Sequence, residues 1–218
     1  MPYSLSAETA CFLPNMETAI NLVQDAAPIF GERVLVLGQG VVGLLTTSLL
    51  SEFPLETLVT ADCYEQRRNA APSADRLALD PNSPDFRKQA STLLDGGADL
   101  TFELSGRPET LNEALALTRF SGRIVIGSWY GEKRAEIDLG STFHRSRIKL
   151  ISSQVSTIAP ELSGRWDKTR RFAAAWKALE RIQPEKWITH RFPIEEAAQA
   201  YRLLDENPQE TIQTLITY

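Results

Sequence analysis

The chain has 218 residues, a net charge of −5 and 23% charged side chains, which fits a globular domain and argues against a nucleic-acid binder, whose surface would be basic. Its two cysteines, Cys11 and Cys63, and two histidines, His144 and His190, form no C-x-x-C or H-x-x-x-H spacing, so neither a zinc site nor a disulfide framework is expected, which fits a reducing cytosol. The N-terminal MPYSLSAETACFLP lacks a basic segment followed by an apolar run, and no apolar stretch reaches the roughly 20 residues of a membrane span, so a cytoplasmic chain without a membrane partner is expected.

In chain order, residues 6–27 read as helix, with Pro14 breaking it and METAINLVQDAA the better piece; Pro28 and Gly31 end it. RVLVLG follows, a continuous apolar run of the kind expected in a strand buried on both faces. VVGLLTTSLLSEF is an apolar helix closed by Pro54, and LETLVTAD a second strand. RRNAAPSADRLALD is ambiguous: a short helix cut by Pro72, then a short third strand. FRKQASTLLDGG reads as helix, ADLTFELSG as strand, PETLNEALALTRFSG as helix, then GRIVIGSW and IKLISSQ as strands. The alternation over residues 33–155 predicts an α/β, Rossmann-type, doubly wound parallel sheet with helices on both faces. Beyond it come TRRFAAAWKALERI (helix), WITHRF (strand), IEEAAQAYRLLDEN (helix) and ETIQTLITY (strand), a C-terminal α+β extension that either lengthens the sheet or stands apart.

Gly38-Gln39-Gly40-Val41-Val42-Gly43 is a G-x-G-x-x-G placed directly after a strand and opening a helix, the context that gives this otherwise weak motif meaning. Gly38 permits the tight turn, Gly40 lets backbone approach a pyrophosphate, and Gly43 lets helix and strand pack closely. Free amides and the dipole at the helix start favour phosphate. The alternative is a strand–helix turn with no ligand. Asp62 ends the second strand 19 residues past Gly43, close to the usual spacing of about 20 for a carboxylate that binds the ribose hydroxyls. It would repel a 2′-phosphate, so NAD is favoured over NADP. Arg67 or Arg68 could reach the ribose or adenine, or simply be solvated. A methyltransferase also binds a ribose with an acid in this position, but its glycine loop usually lacks the third, helix-opening glycine.

Ligands of such sheets lie beyond the carboxyl ends of strands. Two later ends are small and polar: Glu103-Leu104-Ser105-Gly106, with Ser105 and Gly106 on the adenosine and pyrophosphate side, and Gly127-Ser128-Trp129-Tyr130, with Gly127 and Ser128 on the nicotinamide side; ordinary loops are the alternative. Candidates for acid–base work are few. His144 reads as a loop residue, His190 as structural, and Tyr130 as a packing residue able to donate a hydrogen bond. Cys63 lies beside Asp62, whose charge would raise its pKa and discourage a nucleophilic role. Trp129, Trp166, Trp176 and Trp187 read as core or interface residues.

GERVLVLGQGVVGLL, VTAD with its RR, ADLTFELSG, SGRIVIGSW and ITHRFPIEEAAQAYRLL together resemble the medium-chain dehydrogenase/reductase family, the zinc-type alcohol dehydrogenase-like proteins, over almost the whole chain. Relatives of sorbitol and threonine dehydrogenases look nearest. The resemblance implies Gly38, Gly40, Val42 and Gly43 at pyrophosphate and nicotinamide, Asp62 at the ribose and Arg67 as its basic neighbour. It implies a linking helix over residues 1–30, an NAD-binding domain over 31–158, and a segment over 159–218 that returns to the family's catalytic domain. That GroES-like domain, with its zinc ligands and proton relay, is expected to be missing. A zinc-ligating glutamate of the sorbitol branch aligns with Pro14; Glu17, one turn on, is not assigned as a ligand. The expected function is hydride transfer between an alcohol or carbonyl and NAD(H). The alternatives are a non-catalytic NAD-binding protein and a cofactor half completed by a separate chain. The family commonly dimerises through the last strand of its cofactor sheet, here Ile148–Gln154, and a bare edge strand is a pairing hazard in any case.

Overall fold

The computed structural model describes residues 5–72 and 77–218. Ser6 caps a single turn, α1 (Ala7–Ala10), and Pro14 sits in the first turn of α2 (Leu13–Ala26), where its missing N–H costs nothing. Pro14 therefore starts a helix rather than kinking one. The chain continues through β1 (Arg33–Leu37), α3 (Val41–Leu50), β2 (Thr57–Ala61), α4 (Glu65–Ala70) and β3 (Ala78–Leu79). The ambiguous tract thus yields a short helix and a two-residue strand, and its middle, residues 73–76, lies outside the described residues. Then follow α5 (Phe86–Leu93), β4 (Ala98–Glu103), α6 (Thr110–Leu117), β5 (Thr118–Ile126) and β6 (Lys149–Ser152).

The six strands are all parallel in the order β3-β2-β1-β4-β5-β6. This is the doubly wound order whose connections reverse between β1 and β4, opening a crevice at their carboxyl ends. Period-two geometry distributes the β1 side chains between two cores. Leu35 and Leu37 face Phe86, Ala90, Leu111 and Leu115 of α5 and α6. Val34 and Val36 face the other layer with Leu22 of α2 and Leu50 of α3.

One element differs from the sequence reading. TRFSG is not the end of α6; β5 starts at Thr118. The pairing jumps from Ala98↔Thr118 to Leu100↔Arg123, leaving a bulge in which Ser121 adopts φ 59° and donates its N–H to the Ser146 carbonyl. A non-local backbone partner created that bulge, and no local pattern announces it. The strand also ends at Ile126, so Gly127–Trp129 belong to the loop beyond it.

After β6, α7 (Lys168–Ile182) packs on α2 and α3. The remainder forms a separate two-stranded parallel sheet of β7 (Ile188–Pro193) and β8 (Gln213–Thr217), linked by α8 (Ala197–Glu206). The tail therefore does not extend the main sheet. No helix among the described residues is long and apolar enough to cross a membrane.

Candidate functional site

The glycine loop turns sharply because Gly38 takes φ +99° and lies against the backbone of residues 104 and 105; a Cβ there would stand 2.6 Å from the Leu104 carbonyl. At Gly43 a Cβ would stand 2.0 Å from the Gly38 carbonyl oxygen, so this glycine serves helix–strand packing. Gly40 differs from both: nothing lies within 4 Å of where its Cβ would be. It caps α3, and the amides of Val41, Val42 and Gly43 come before the first intrahelical bond, Leu44 N–H to the Gly40 carbonyl. Open space over unpaired amides at a helix start suits an anion. Gln39 is wholly buried: its Nε2 donates to the Gly38 carbonyl at 3.0 Å and its Oε1 accepts from Thr47 at 3.1 Å, so its side chain braces the loop from beneath.

Asp62 lies beside this loop at the end of β2. Its Oδ2 accepts the Gln39 N–H at 2.7 Å and its Oδ1 the Tyr64 N–H at 2.8 Å. A carboxylate oxygen has two acceptor positions, so each keeps one for a further donor. Asp62 opens onto a cavity of about 420 Å³ lined also by Gly38, Tyr64, Phe86, Ser105 and Pro208. Cys63 shares this wall; burial, then the Asp62 charge, push its thiol up from the usual range, so it is a poor nucleophile.

The two arginines after Asp62 have firm partners. Arg67 stacks over Tyr64 at 4.8 Å and donates to the carbonyls of Pro208 and Thr211 at 3.0 and 3.1 Å, so it lines the cavity while holding the C-terminal turn. Arg68 donates to the Asp62 carbonyl at 2.9 Å and pairs with Asp80 at 3.4 Å.

The later strand ends come together. The Gly106 N–H donates to Ser128 Oγ at 2.8 Å. Gly127 presses on side chains: a Cβ there would meet Leu22 and Leu104 methyls at 2.5 and 2.6 Å. Tyr130 packs beside the α5–α6 core, and its hydroxyl donates to Glu103 Oε2 at 2.5 Å. Burial, then that carboxylate, push the phenol up, so Tyr130 is a neutral donor and not a base.

His144 is exposed after the wide turn Leu139–Phe143, and His190 is half-buried on β7, its ring 6.2 Å from that of Phe192. Of the tryptophans only Trp187 is fully in the core, at 3% exposure; Trp176 packs partly against it, and Trp166 stacks under Arg170 at 4.2 Å. Trp129 is 91% exposed, so as regards the core the expectation for it is corrected: it lies on a loop past the strand end, where no layer covers it. Tyr64, Phe86 and Pro208 join the cavity without having been singled out from the sequence, and Glu103 stood in the sequence only as the first residue of a polar strand end. Only Glu103 carried a local signal, as a charge ending an apolar strand.

A family model described as zinc-binding dehydrogenase matches residues 41–175. L-galactonate-5-dehydrogenase of Escherichia coli (strain K12) is 26% identical over 98% of this chain and 60% of its own length. D-guloside 3-dehydrogenase of Escherichia coli (strain K12) is 24% identical over 100% of this chain and 64% of its own length. Among solved structures, a short chain alcohol dehydrogenase (rspB) of E. coli CFT073 complexed with cofactor NADH superposes with TM-score 0.80 at 22% identity, covering 100% of this chain and 61% of that one. The apo form of zinc dependent alcohol dehydrogenase 2 from Streptococcus pneumonia gives 0.81 at 24% identity, covering 99% and 60%. At these identities the superpositions speak for the fold. The chain thus spans about 60% of the length of the first of these relatives.

Proposed function

The chain belongs to the zinc-binding dehydrogenase family, and from that premise we propose that it binds NAD(H) in the β1–β4 crevice, as the cofactor-holding part of an oxidoreductase acting on an alcohol or polyol and its carbonyl partner. The observation that carries the reading is the open space over Gly40 at the start of α3, beside an Asp62 carboxylate with acceptor positions to spare. The pyrophosphate would lie on the amides of Val41, Val42 and Gly43, and the adenosine ribose on Asp62. Ser105 and Gly106 would border the adenosine and pyrophosphate side, and Gly127 and Ser128 the nicotinamide side. Arg67 would form a wall of the adenosine pocket with its guanidinium turned to the C-terminal turn. Bound NAD would accept or release a hydride at its nicotinamide ring; the protein's part is binding, orientation and electrostatics.

The family's name implies zinc. Among the described residues no three His, Cys, Asp or Glu side chains gather as a donor set, and Glu17 is already held by Lys168 at 2.9 Å and Arg171 at 2.8 Å. These residues do not fit the ion, and no step is assigned to it. A second reading, NAD binding without turnover by this chain alone, is favoured by Tyr130: this side chain on the nicotinamide-side loop is a neutral donor already bonded to Glu103 and is no base for an alcohol proton.

Fluorescence titration of NADH against wild type and Gly40→Val tests the site: a Cβ-branched side chain fills the open space, so affinity is expected to fall by at least tenfold, and equal affinities would sink the proposal. Titration with NADPH tests Asp62; binding as tight as NADH would mean that the carboxylate does not read the ribose. Turnover of an alcohol panel with and without added zinc separates the two readings. We also propose pairing of two chains through the β6 edge, where Lys149 and Leu150 are exposed; a monomer in analytical ultracentrifugation at micromolar concentration would refute it.

A further inference from the structure

Glu103 ends β4 at the switch point of the sheet, and its side chain is wholly buried. Among the described residues nothing cationic pairs with it; its side-chain partners are three uncharged donors on two loops. On Oε1 it accepts the Ser105 N–H at 2.9 Å and the Ser105 hydroxyl. On Oε2 it accepts the Tyr130 hydroxyl at 2.5 Å. Its backbone carbonyl also receives the N–H groups of Gly127 and Ser128 at 3.1 and 3.3 Å. The two loops are joined directly as well, by Gly106 N–H to Ser128 Oγ at 2.8 Å and by Lys133 Nζ to the Gly106 carbonyl at 2.9 Å.

A buried carboxyl group is costly unless donors surround it, so it persists where the donors are held in place and it holds them in return. The two arms of Glu103 reach different parts of the crevice. Ser105 lines the cavity that contains Asp62 and Tyr64. Tyr130 belongs to the loop beyond β5, on the far side of the switch point.

We infer that Glu103 is a positioning residue that fixes the spacing between the adenosine-side loop and the nicotinamide-side loop, with Tyr130 and Ser128 as its arm on the nicotinamide side. The inference rests on the proposed NAD reading and adds to it a division of labour. The adenosine half is read by Asp62 and the Ser105 wall alone, whereas the whole dinucleotide is read only when the second loop is clamped to the first. Glu103→Gln weakens this clamp because an amide offers a single acceptor oxygen to arms on opposite sides.

The test compares NADH with AMP, which has only the adenosine half. Affinities of wild type, Tyr130→Phe, Ser128→Ala and Glu103→Gln are measured by calorimetry, with melting temperatures alongside. Tyr130→Phe and Ser128→Ala are expected to weaken NADH by about tenfold, the scale of one hydrogen bond to a charged or buried partner, while AMP changes by less than about twofold. Ser128→Ala keeps the test open if Tyr130→Phe folds poorly. Parallel loss of NADH and AMP, or loss of neither, overturns the clamp while leaving the NAD reading intact. Wild type that binds AMP but not NADH, or neither, overturns the NAD reading and the clamp with it.

Discussion

The two sheets of this protein are both parallel and end in different physical states. In the six-stranded sheet the central strands are covered on both faces, and Val34, Leu35, Val36, Leu100 and Phe102 are fully buried. In the β7–β8 pair only Ile188 and Leu215 belong to the core, while Ile194, Tyr201 and Leu204 around α8 remain 40%, 72% and 41% exposed. A two-stranded sheet has too little surface of its own to be stable in water and depends on what it leans on. Here it leans on α7 through the buried core and on α4 through Arg67 and the 208–211 turn. The larger sheet is a scaffold for the candidate site; the smaller one is an attachment, and its stability is borrowed.

The largest test of that contrast is Phe102→Ala, which leaves a cavity between layers that cannot collapse and is expected to cost about 3–5 kcal/mol in denaturant unfolding. Leu204→Ala, on the exposed face of α8, is expected to stay within about 0.5 kcal/mol of wild type. Equal effects would dissolve the distinction.

Arg171→Leu probes the bridge between the two regions. The guanidinium is fully buried at the α2–α7 seam, donating to Glu17 at 2.8 Å, to Asn21 and to the carbonyls of Val155 and Thr157. Removing one partner of a buried ion pair typically costs about 3–5 kcal/mol. Lys168 still reaches Glu17, so the lower part of that range is expected, with helix α7 loosened first in hydrogen exchange.

A smaller effect is expected from Arg67→Ala. Its two bonds to the C-terminal turn involve a charged donor and contribute about 1–2 kcal/mol in this half-buried place. Amide exchange of β8 should rise while that of β1 and β4 is unchanged. Uniform acceleration would mean that the smaller sheet unfolds only with the whole.

The smallest effect concerns acid. Burial pushes Glu17 up, but hydrogen bonds from Lys168 and Arg171 outweigh it and hold the carboxyl below its usual value; at Glu32, burial is likewise outweighed by Arg123 and the Ile29 N–H. Both lend stability that is complete above the unfolded carboxylate value of about 4.3 and is lost as pH falls through their lower folded values. Asp25 has the opposite sign: burial raises it despite bonds from Ser153 and Asn21, so it favours the fold when protonated and that contribution fades as pH rises through its folded value. The melting temperature is expected to drop below about pH 4, and Glu17→Gln should flatten that limb. An unchanged acid limb would show that the seam does not carry it.

Much of the candidate site is written locally. A buried β-branched strand, three glycines at fixed spacing and an aspartate ending the next strand act through backbone sterics and period, which neighbouring residues determine, so Gly38, Gly40, Gly43 and Asp62 stand where their spacing says. The parallel sheet follows from the alternation of strands and helices for the same reason. What only the tertiary structure decided is which distant group each polar side chain meets. Arg67 turned to carbonyls more than 140 residues away, Glu17 found Arg171, and Ser121 bonded Ser146 and bent β5 into a bulge. Glu103 was visible as a charge at a strand end, but its clamp on Tyr130 was not. A carboxylate's choice of donor depends on which loops the packed layers bring within about 3 Å, and no period along the chain encodes that distance.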